Sequence, residues 1–274
     1  MMVDGRALAS EILTSVRRDV AALGRAVIVR AIVVAPSPAT ESYLRIKSSR
    51  AKEAGMTLEV VRLPDTATTE DAVAAVRAEG ADAVIAQLPL PPSIDTIAVL
   101  DAIPRGKDAD VLSSSARAAF ENGEAGALVP PVALSVLHIL ERHHISVVGK
   151  KVTVVGSGWL VGGPVITCLT RIGADITVVN KEKGDLREAL KDADIVVSGA
   201  GAPLLIKPDM VKNGVVLIDG GTSGLGALVV GDADPAVAEK ASLFTPVPGG
   251  VGPVAVACLF ENAMTLLSRQ AGSR

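Results

Sequence analysis

Apolar runs that read as strands alternate along the chain with stretches where apolar residues recur every three or four positions. An amphipathic helix is predicted over residues 5–22, followed by a strand in AVIVRAIVVA (26–35). A helix from about Thr40 to Ala54, the strand TLEVVRL (57–63), a helix after Thr69 and the strand DAVIAQLPLP (82–91) come next. This βαβαβ rhythm predicts a parallel sheet with right-handed crossovers. Between 105 and 130 the pattern lapses into polar and small residues closed by a double proline, which predicts a long loop at a domain boundary. A helix over about 132–142 leads into a second alternating block. It starts with KKVTVVGSGWLVGGP and continues through strands at 175–180, 194–201 and 214–221, with a weaker one at 227–232. The last segment, FTPVPGGVGPVAVACLFENAMTLL, is a Gly/Pro turn feeding a long helix with no partner in its own block. That helix is expected to return to the first domain.

Composition sharpens the picture. Of 274 residues, 49% are apolar but only five are aromatic, so the core must be built from Val, Ala, Leu and Ile. Aliphatic runs of this kind suit parallel strands buried on both faces, and the fold class is α/β. A net charge of -3, from 27 basic and 30 acidic residues spread along the chain, supplies no field for nucleic acid or an anionic membrane. A small-molecule substrate is expected, with no nucleic-acid and no membrane partner. Cys168 and Cys258 lie in apolar helical patterns without a CxxC or Cys/His cluster, and His138, His143 and His144 cluster near a helix end. None of these is assigned chemistry, and no metal is expected. With charges inside the first amphipathic stretch and no uncharged apolar run of about 18 residues, a cytoplasmic location is expected.

Candidate chemistry lies at two places. In VTVVGSGWLVGGP a buried strand runs into Gly156, Gly158 and Gly162 and then a helix, an arrangement that lets backbone and a helix N-terminus approach a pyrophosphate. The next strand ends in Asn180 and Lys181, not in the acid that would bond the ribose hydroxyl of NAD. Lys181 favours NADP slightly, with NAD as the alternative. Earlier, Tyr43 and Lys47 stand at i and i+4 on one helix face, either a reactive wall or an ordinary solvated pair. Gln87 ends the third strand just before LPLPP, where open α/β sheets put ligands, and Asp110 lies in the loop beyond.

Together these stretches resemble the bifunctional methylenetetrahydrofolate dehydrogenase/methenyltetrahydrofolate cyclohydrolases, of which the chain looks like a divergent member. The likeness runs through VDGRALA (3–9), YLRIK (43–47), QLPLP (87–91), KDAD (107–110), GSGWLVGGP (156–164), DIVVSGAG (194–201) and TPVPGGVGPVAVACLFEN (245–262). It implies a folate-binding three-layer α/β domain over 1–128 plus 252–274 and a Rossmann-like NAD(P)-binding domain over 129–251. It implies oxidation of 5,10-methylenetetrahydrofolate with NADP, hydrolysis of the product to 10-formyltetrahydrofolate, a place in one-carbon metabolism, and a homodimer. By the family pattern Lys47 is the general acid/base, Gln87 holds it, Tyr43 lies against the folate ring and Asp110 accepts hydrogen bonds from the pterin. Leu88, Pro89, Pro248, Gly249 and Gly250 line the folate. Gly156, Ser157, Gly158, Trp159, Gly162, Lys181, Gly199 and Ala200 line the cofactor.

The chain departs from that pattern in places. A turn glycine is replaced by Val111, the usual PCTPxG is LVPPVA (128–133), an arginine of the cofactor loop is Ser157, and a threonine after PGGVGP is Ala255. These changes gather around the cofactor and the interdomain loop. A cyclohydrolase that has lost its dehydrogenase, a non-catalytic nucleotide- or folate-binding module, and a shikimate-type or amino-acid dehydrogenase are therefore the competing readings.

Overall fold

A computed structural model describes residues 1–225 and 228–272. In chain order the elements are α1 (Gly5–Ala22), β1 (Ile28–Val34), α2 (Pro38–Glu53), β2 (Thr57–Leu63), α3 (Thr69–Arg77), β3 (Ala83–Ala86), α4 (Thr96–Asp101), α5 (Ser114–Asn122), α6 (Pro131–Arg142), β4 (Lys151–Val155), α7 (Gly162–Arg171), β5 (Asp175–Val179), α8 (Leu186–Lys191), β6 (Ile195–Ser198), β7 (Val216–Asp219), β8 (Ser223–Leu225), β9 (Leu228–Val230), β10 (Leu243–Phe244) and α9 (Val251–Gly272). The chain divides into two compact units: Ser10–Pro131 with Val256–Arg274, and Met1–Ala9 with Val132–Ala255.

In the first unit three parallel strands run in the order β2-β1-β3. β1 is central and buried along nearly its whole length, as its unbroken aliphatic run requires. The charge within that run, Arg30, is 7% exposed and tolerated because its donors are matched. Its Nε meets Glu59 Oε2 at 2.9 Å, and its two terminal nitrogens meet the carbonyls of Ala78 and Glu79 at 2.6 and 3.0 Å. A core of Ile32, Val84, Val99, Leu100 and Ile103 packs on one face of the sheet. Each such side chain contributes about 1.5–3 kcal/mol on leaving water. α9 belongs to this unit from Val256 onward, where buried Asn262 donates through Nδ2 to the carbonyls of Ala109 (3.0 Å) and Val129 (2.9 Å). The C-terminal helix thus returns to the unit built first. By length and composition α9 is the one helix among the described residues able to cross a membrane, yet 61% of that stretch is buried inside the protein, as in a core helix.

The second unit holds five parallel strands in the order β10-β7-β6-β4-β5, with antiparallel β8 and β9 as a separate hairpin. β6 and β7 are buried throughout and β4 from its second residue on. This is the Rossmann-like half of the α/β fold.

Two local expectations are corrected. Residues 105–130 are not one long loop, because α5 forms inside them. Ser113 caps its start by accepting from Ala116 N, Ala116, Ala119 and Phe120 turn inward, and Gly123 ends it in the left-handed conformation (φ 69°). Alanine is the best helix former, and small residues within a polar stretch signal a short helix as readily as a loop. The predicted strand at 82–91 is only β3, since the last bond to β1 runs from Gln87 N to the Ile32 carbonyl at 2.8 Å and Pro89, Pro91 and Pro92 beyond it have no N–H to donate. The predicted strand at 227–232 is β9 from Leu228, and Ala227 lies outside the described residues.

Candidate active and nucleotide sites

The lysine side of the chemistry is placed by α2. Ser37 caps it by accepting from Thr40 N at 3.1 Å, with Pro38 in the first turn. Leu44, Ala51 and Ala54 turn inward, which fixes the rotation of the helix and leaves Tyr43 44% exposed. Lys47 is half-buried, one turn after Tyr43 on the same face.

Lys47 Nζ donates to Gln87 Oε1 at 2.9 Å. The same amide donates through Nε2 to the Leu88 carbonyl at 2.8 Å, so a backbone acceptor on one side and an ammonium on the other fix which way it faces. Gln87 follows β3 immediately. In the order β2-β1-β3 the chain goes from β1 to one neighbour and then to the other, so Gln87 stands at the carboxyl ends where the strand order reverses.

Asp110 completes the cluster. Burial holds its carboxyl above the ordinary carboxylate range; the Lys47 charge acts in the opposite sense, and Asp108 adds to the rise. The turn carrying it is closed by buried Asp108, whose carboxylate accepts from Leu112 N (3.2 Å) and Ser113 N (2.8 Å). Val111 stands inside this turn with φ 57° and 1% exposure, a left-handed conformation that a β-branched residue rarely adopts. The position where the resemblance leads one to expect glycine has kept the glycine-like backbone and lost the glycine. A cavity of about 620 Å³ opens in this unit, lined by Asp108 and Val111 among others but by none of Tyr43, Lys47, Gln87 and Asp110.

In the second unit the strand order reverses at β4, which lies between β5 and β6. Gly156 leaves β4 with φ 90°, and a Cβ there would stand 2.8 Å from the Gly199 carbonyl oxygen beyond β6. A Cβ on Gly162 would stand 2.0 Å from the Gly156 oxygen, so both positions demand glycine. Around Gly158 a Cβ would meet nothing within 4 Å, and no side chain caps the α7 N-terminus. Backbone crowded on the inside, open outside and ending in an uncapped helix is the shape that admits a pyrophosphate.

Ser157 and Lys181 are exposed, and Asn180 Nδ2 donates to Ser157 Oγ at 2.9 Å, tying the end of β5 to the loop. Trp159 is 41% exposed in the same loop. Gly250 is required by packing within the unit, because a Cβ there would stand 2.7 Å from the Pro246 carbonyl and Gly5 lies against its own carbonyl. Gly249 has open space around it, and its carbonyl accepts from Gly5 N at 3.0 Å. Gly5 of VDG and Gly249–Gly250 of PVPGG, far apart in the sequence, thus meet within this unit.

Sequence reasoning missed Asp108, Asp219 and Asp232. Each is an acid of 1% exposure or less bonded mainly to backbone amides, Asp108 to those of its own turn and Asp219 and Asp232 to those of other segments. For Asp219 and Asp232 the only signal was an acid closing an aliphatic run, and Asp108 gave none beyond its place in KDAD.

Residues 3–110 match the tetrahydrofolate dehydrogenase/cyclohydrolase catalytic-domain family, and residues 130–271 match the NAD(P)-binding-domain family of the same name. The bifunctional protein FolD of Lacticaseibacillus paracasei is 36% identical over 282 residues, covering 98% of each chain. Among solved structures, the FolD methylenetetrahydrofolate dehydrogenase/cyclohydrolase of Campylobacter jejuni superposes with a TM-score of 0.93 at 30% identity, covering 98% of this chain and 99% of that one. The Trypanosoma brucei N5,N10-methylenetetrahydrofolate dehydrogenase-cyclohydrolase, solved with NADP cofactor and inhibitor, gives 0.93 at 34% identity, with coverage of 99% and 98%.

Proposed function

Because this chain belongs to the tetrahydrofolate dehydrogenase/cyclohydrolase family, we propose that it oxidises 5,10-methylenetetrahydrofolate to 5,10-methenyltetrahydrofolate with NADP and hydrolyses that product to 10-formyltetrahydrofolate. The observation that carries the hydrolytic half is the 2.9 Å bond from Lys47 to Gln87, with Asp110 close enough for its carboxyl to feel the lysine's charge. In this reading the folate unit comprises 1–128 plus 252–274 and the nucleotide unit 129–251.

Bound NADP accepts the hydride that leaves the one-carbon bridge, and the protein's part in that step is to align two rings. Asp110 accepts from the donor edge of the pterin, Tyr43 lies against its plane, and Leu88 and Pro89 bound the pocket. The Gly156–Gly162 turn, with Gly199 and Ala200 beside it, takes the pyrophosphate. Lys181 and Ser157 face the 2′-phosphate, and Trp159 covers the loop.

Oxidation leaves a methenyl carbon shared as a cation between N5 and N10. Water adds to that carbon and loses a proton; the resulting hydroxyl then gives up its own proton as the C–N5 bond breaks and N5 takes one up, which leaves the formyl group on N10 and one proton released overall. Lys47 serves as the base and then the acid. Gln87, a neutral acceptor, orients its nitrogen for that exchange.

Two free, buried cysteines suit a cytoplasmic enzyme, and the exposed edge strand β5 suits a homodimer made through the second unit. The experiment is to follow methenyltetrahydrofolate by its ultraviolet absorbance, with NADP and with NAD, and to assay its hydrolysis separately. Turnover in both assays is expected; folded protein inactive in both would overturn the proposal. A second reading, cyclohydrolase without useful dehydrogenase, is favoured by Ser157, whose short hydroxyl is engaged by Asn180 where a cation would grip phosphate. Hydrolysis without oxidation would select it.

A further inference from the structure

Two buried carboxylates in the nucleotide unit take no part in the chemistry above, and their bonds run toward the nucleotide turn. Asp232, with no solvent exposure, accepts from Ser198 Oγ (2.7 Å), Ala200 N (2.7 Å) and Ala202 N (2.8 Å). It therefore holds the loop after β6, the loop whose Gly199 and Ala200 backbone lies against Gly156. Asp219, 1% exposed at the end of β7, holds Asp232 in turn. Its Oδ1 accepts from Asp232 N (3.2 Å) and Gly221 N (2.9 Å), and its Oδ2 from Ala233 N (2.8 Å).

The surroundings are cut to fit these two groups. A Cβ on Gly221 would stand 2.2 Å from the Asp232 carboxyl carbon, and one on Gly231 would stand 2.1 Å from Asp219 Oδ2. Six donors, five of them backbone amides, point at two carboxylates, which is more than a packing role for a pair of acids demands. Buried carboxylates are costly unless so matched.

We propose that Asp219 and Asp232 are positioning residues for the nucleotide: a two-carboxylate strut that fixes the 198–202 loop beside the Gly156 turn. The proposal rests on the assignment of NADP to that turn. Protonation of Asp219 converts an acceptor oxygen to a hydroxyl, loosens the amides that hold Asp232, and so loosens the loop. The charged group that acts on Asp219 is Asp232; the other groups meeting it are the amides of Gly221, Asp232 and Ala233, while Thr245 Oγ1 accepts from the Asp219 amide at 2.6 Å. Burial pushes the Asp219 carboxyl up to about 6, its three amide bonds pulling down and Asp232 pushing further up, so the strut titrates just below neutrality.

Trp159, the sole tryptophan, stands three residues after Gly156, and its fluorescence is the probe for NADP, with calorimetry as the second measurement. The dissociation constant for NADP is measured from pH 7.5 to 5.5 in the wild type, Asp232→Asn and Asp219→Asn. Asp232→Asn is expected to weaken binding tenfold or more at pH 7.5. The wild type is expected to lose up to about fourfold more affinity on acidification than Asp219→Asn, as a group with this pKa is about three-quarters protonated at pH 5.5. The NADP 2′-phosphate titrates in the same range in both proteins, so only the difference reads Asp219. In the wild type alone, amide exchange over 198–202, corrected for its intrinsic pH dependence, is expected to speed up below pH 6, a test that survives if either variant fails to fold. A wild type that does not bind NADP overturns the nucleotide assignment and the strut together. Binding unchanged in Asp232→Asn, equal pH profiles, or unchanged exchange overturns the strut alone.

Discussion

Lys47 and Gln87, 40 residues apart in sequence, meet in a 2.9 Å hydrogen bond whose acceptor is itself anchored to the Leu88 carbonyl. One helix and one strand end thereby fix a basic nitrogen at the rim of a sheet, and the amide beside it carries no charge.

Replacing Lys47 by Met keeps the bulk of the side chain and removes its proton chemistry. Methenyltetrahydrofolate hydrolysis should fall by about 10²–10⁴, the usual worth of a positioned acid/base. Absorbance decay of methenyltetrahydrofolate measures it, and hydrolysis within threefold of wild type would remove Lys47 from the mechanism.

Gln87 separates orientation from charge. Gln87→Leu deletes the acceptor and should cost about 1–1.5 kcal/mol, roughly tenfold in hydrolysis. Gln87→Glu keeps an acceptor but adds a negative charge that favours the ammonium, so the pH optimum of hydrolysis should move upward. A pH–rate profile unchanged in Gln87→Glu would contradict this.

Val111 is caught between two costs. Its left-handed backbone costs a β-branched residue about 1–3 kcal/mol, while its buried side chain returns about 1.5–3 kcal/mol. Alanine loses the burial and keeps the strain, whereas glycine loses both. Urea unfolding should therefore rank Val111→Ala below Val111→Gly, the reverse of the order expected in a helix or strand.

The raised pKa of Asp219 has a definite sign. A carboxyl that titrates near 6 folded and near 3.8 unfolded binds its proton more tightly in the fold. Its contribution is thus most favourable below about pH 4, and about 3 kcal/mol is lost as pH rises through 6. Relative to Asp219→Asn, the wild type should gain about 2–3 kcal/mol on going from pH 7.5 to 4.5. Chemical unfolding at the two pH values measures it; a difference of the opposite sign would refute the assignment.

Lys181 is exposed, so its attraction for a 2′-phosphate is screened and worth about 1 kcal/mol. Lys181→Ala should weaken NADP about fivefold and leave NAD unchanged, measured by titration of Trp159 fluorescence with each nucleotide.

Much of this was legible in the sequence for physical reasons. Buried parallel strands are continuous aliphatic runs, so β1, β4, β6 and β7 announce themselves, and the glycines between β4 and α7 mark a backbone crowded against its neighbours. That α2 puts Tyr43 and Lys47 on one face and that Gln87 ends β3 could be read from spacing, while the roles proposed for them came from the family resemblance. What stayed hidden depends on partners distant in sequence or on weak local signals. α5 is short, and its signals of serine, alanine and a closing glycine are shared with loops. Asp219 and Asp232 look like ordinary turn acids until the turns they bind are folded against them, and Val111 gives no local sign that its φ is positive.

The tie from Asn262 to Ala109 and Val129 also bears on how the protein is made. The lysine-bearing unit is interrupted by more than a hundred residues of the other, and its closing helix follows them in the chain. Residues 10–131 therefore emerge before the helix that closes them, and joining the two segments across residues 132–255 carries a loop-closure entropy that grows only slowly with the length between them.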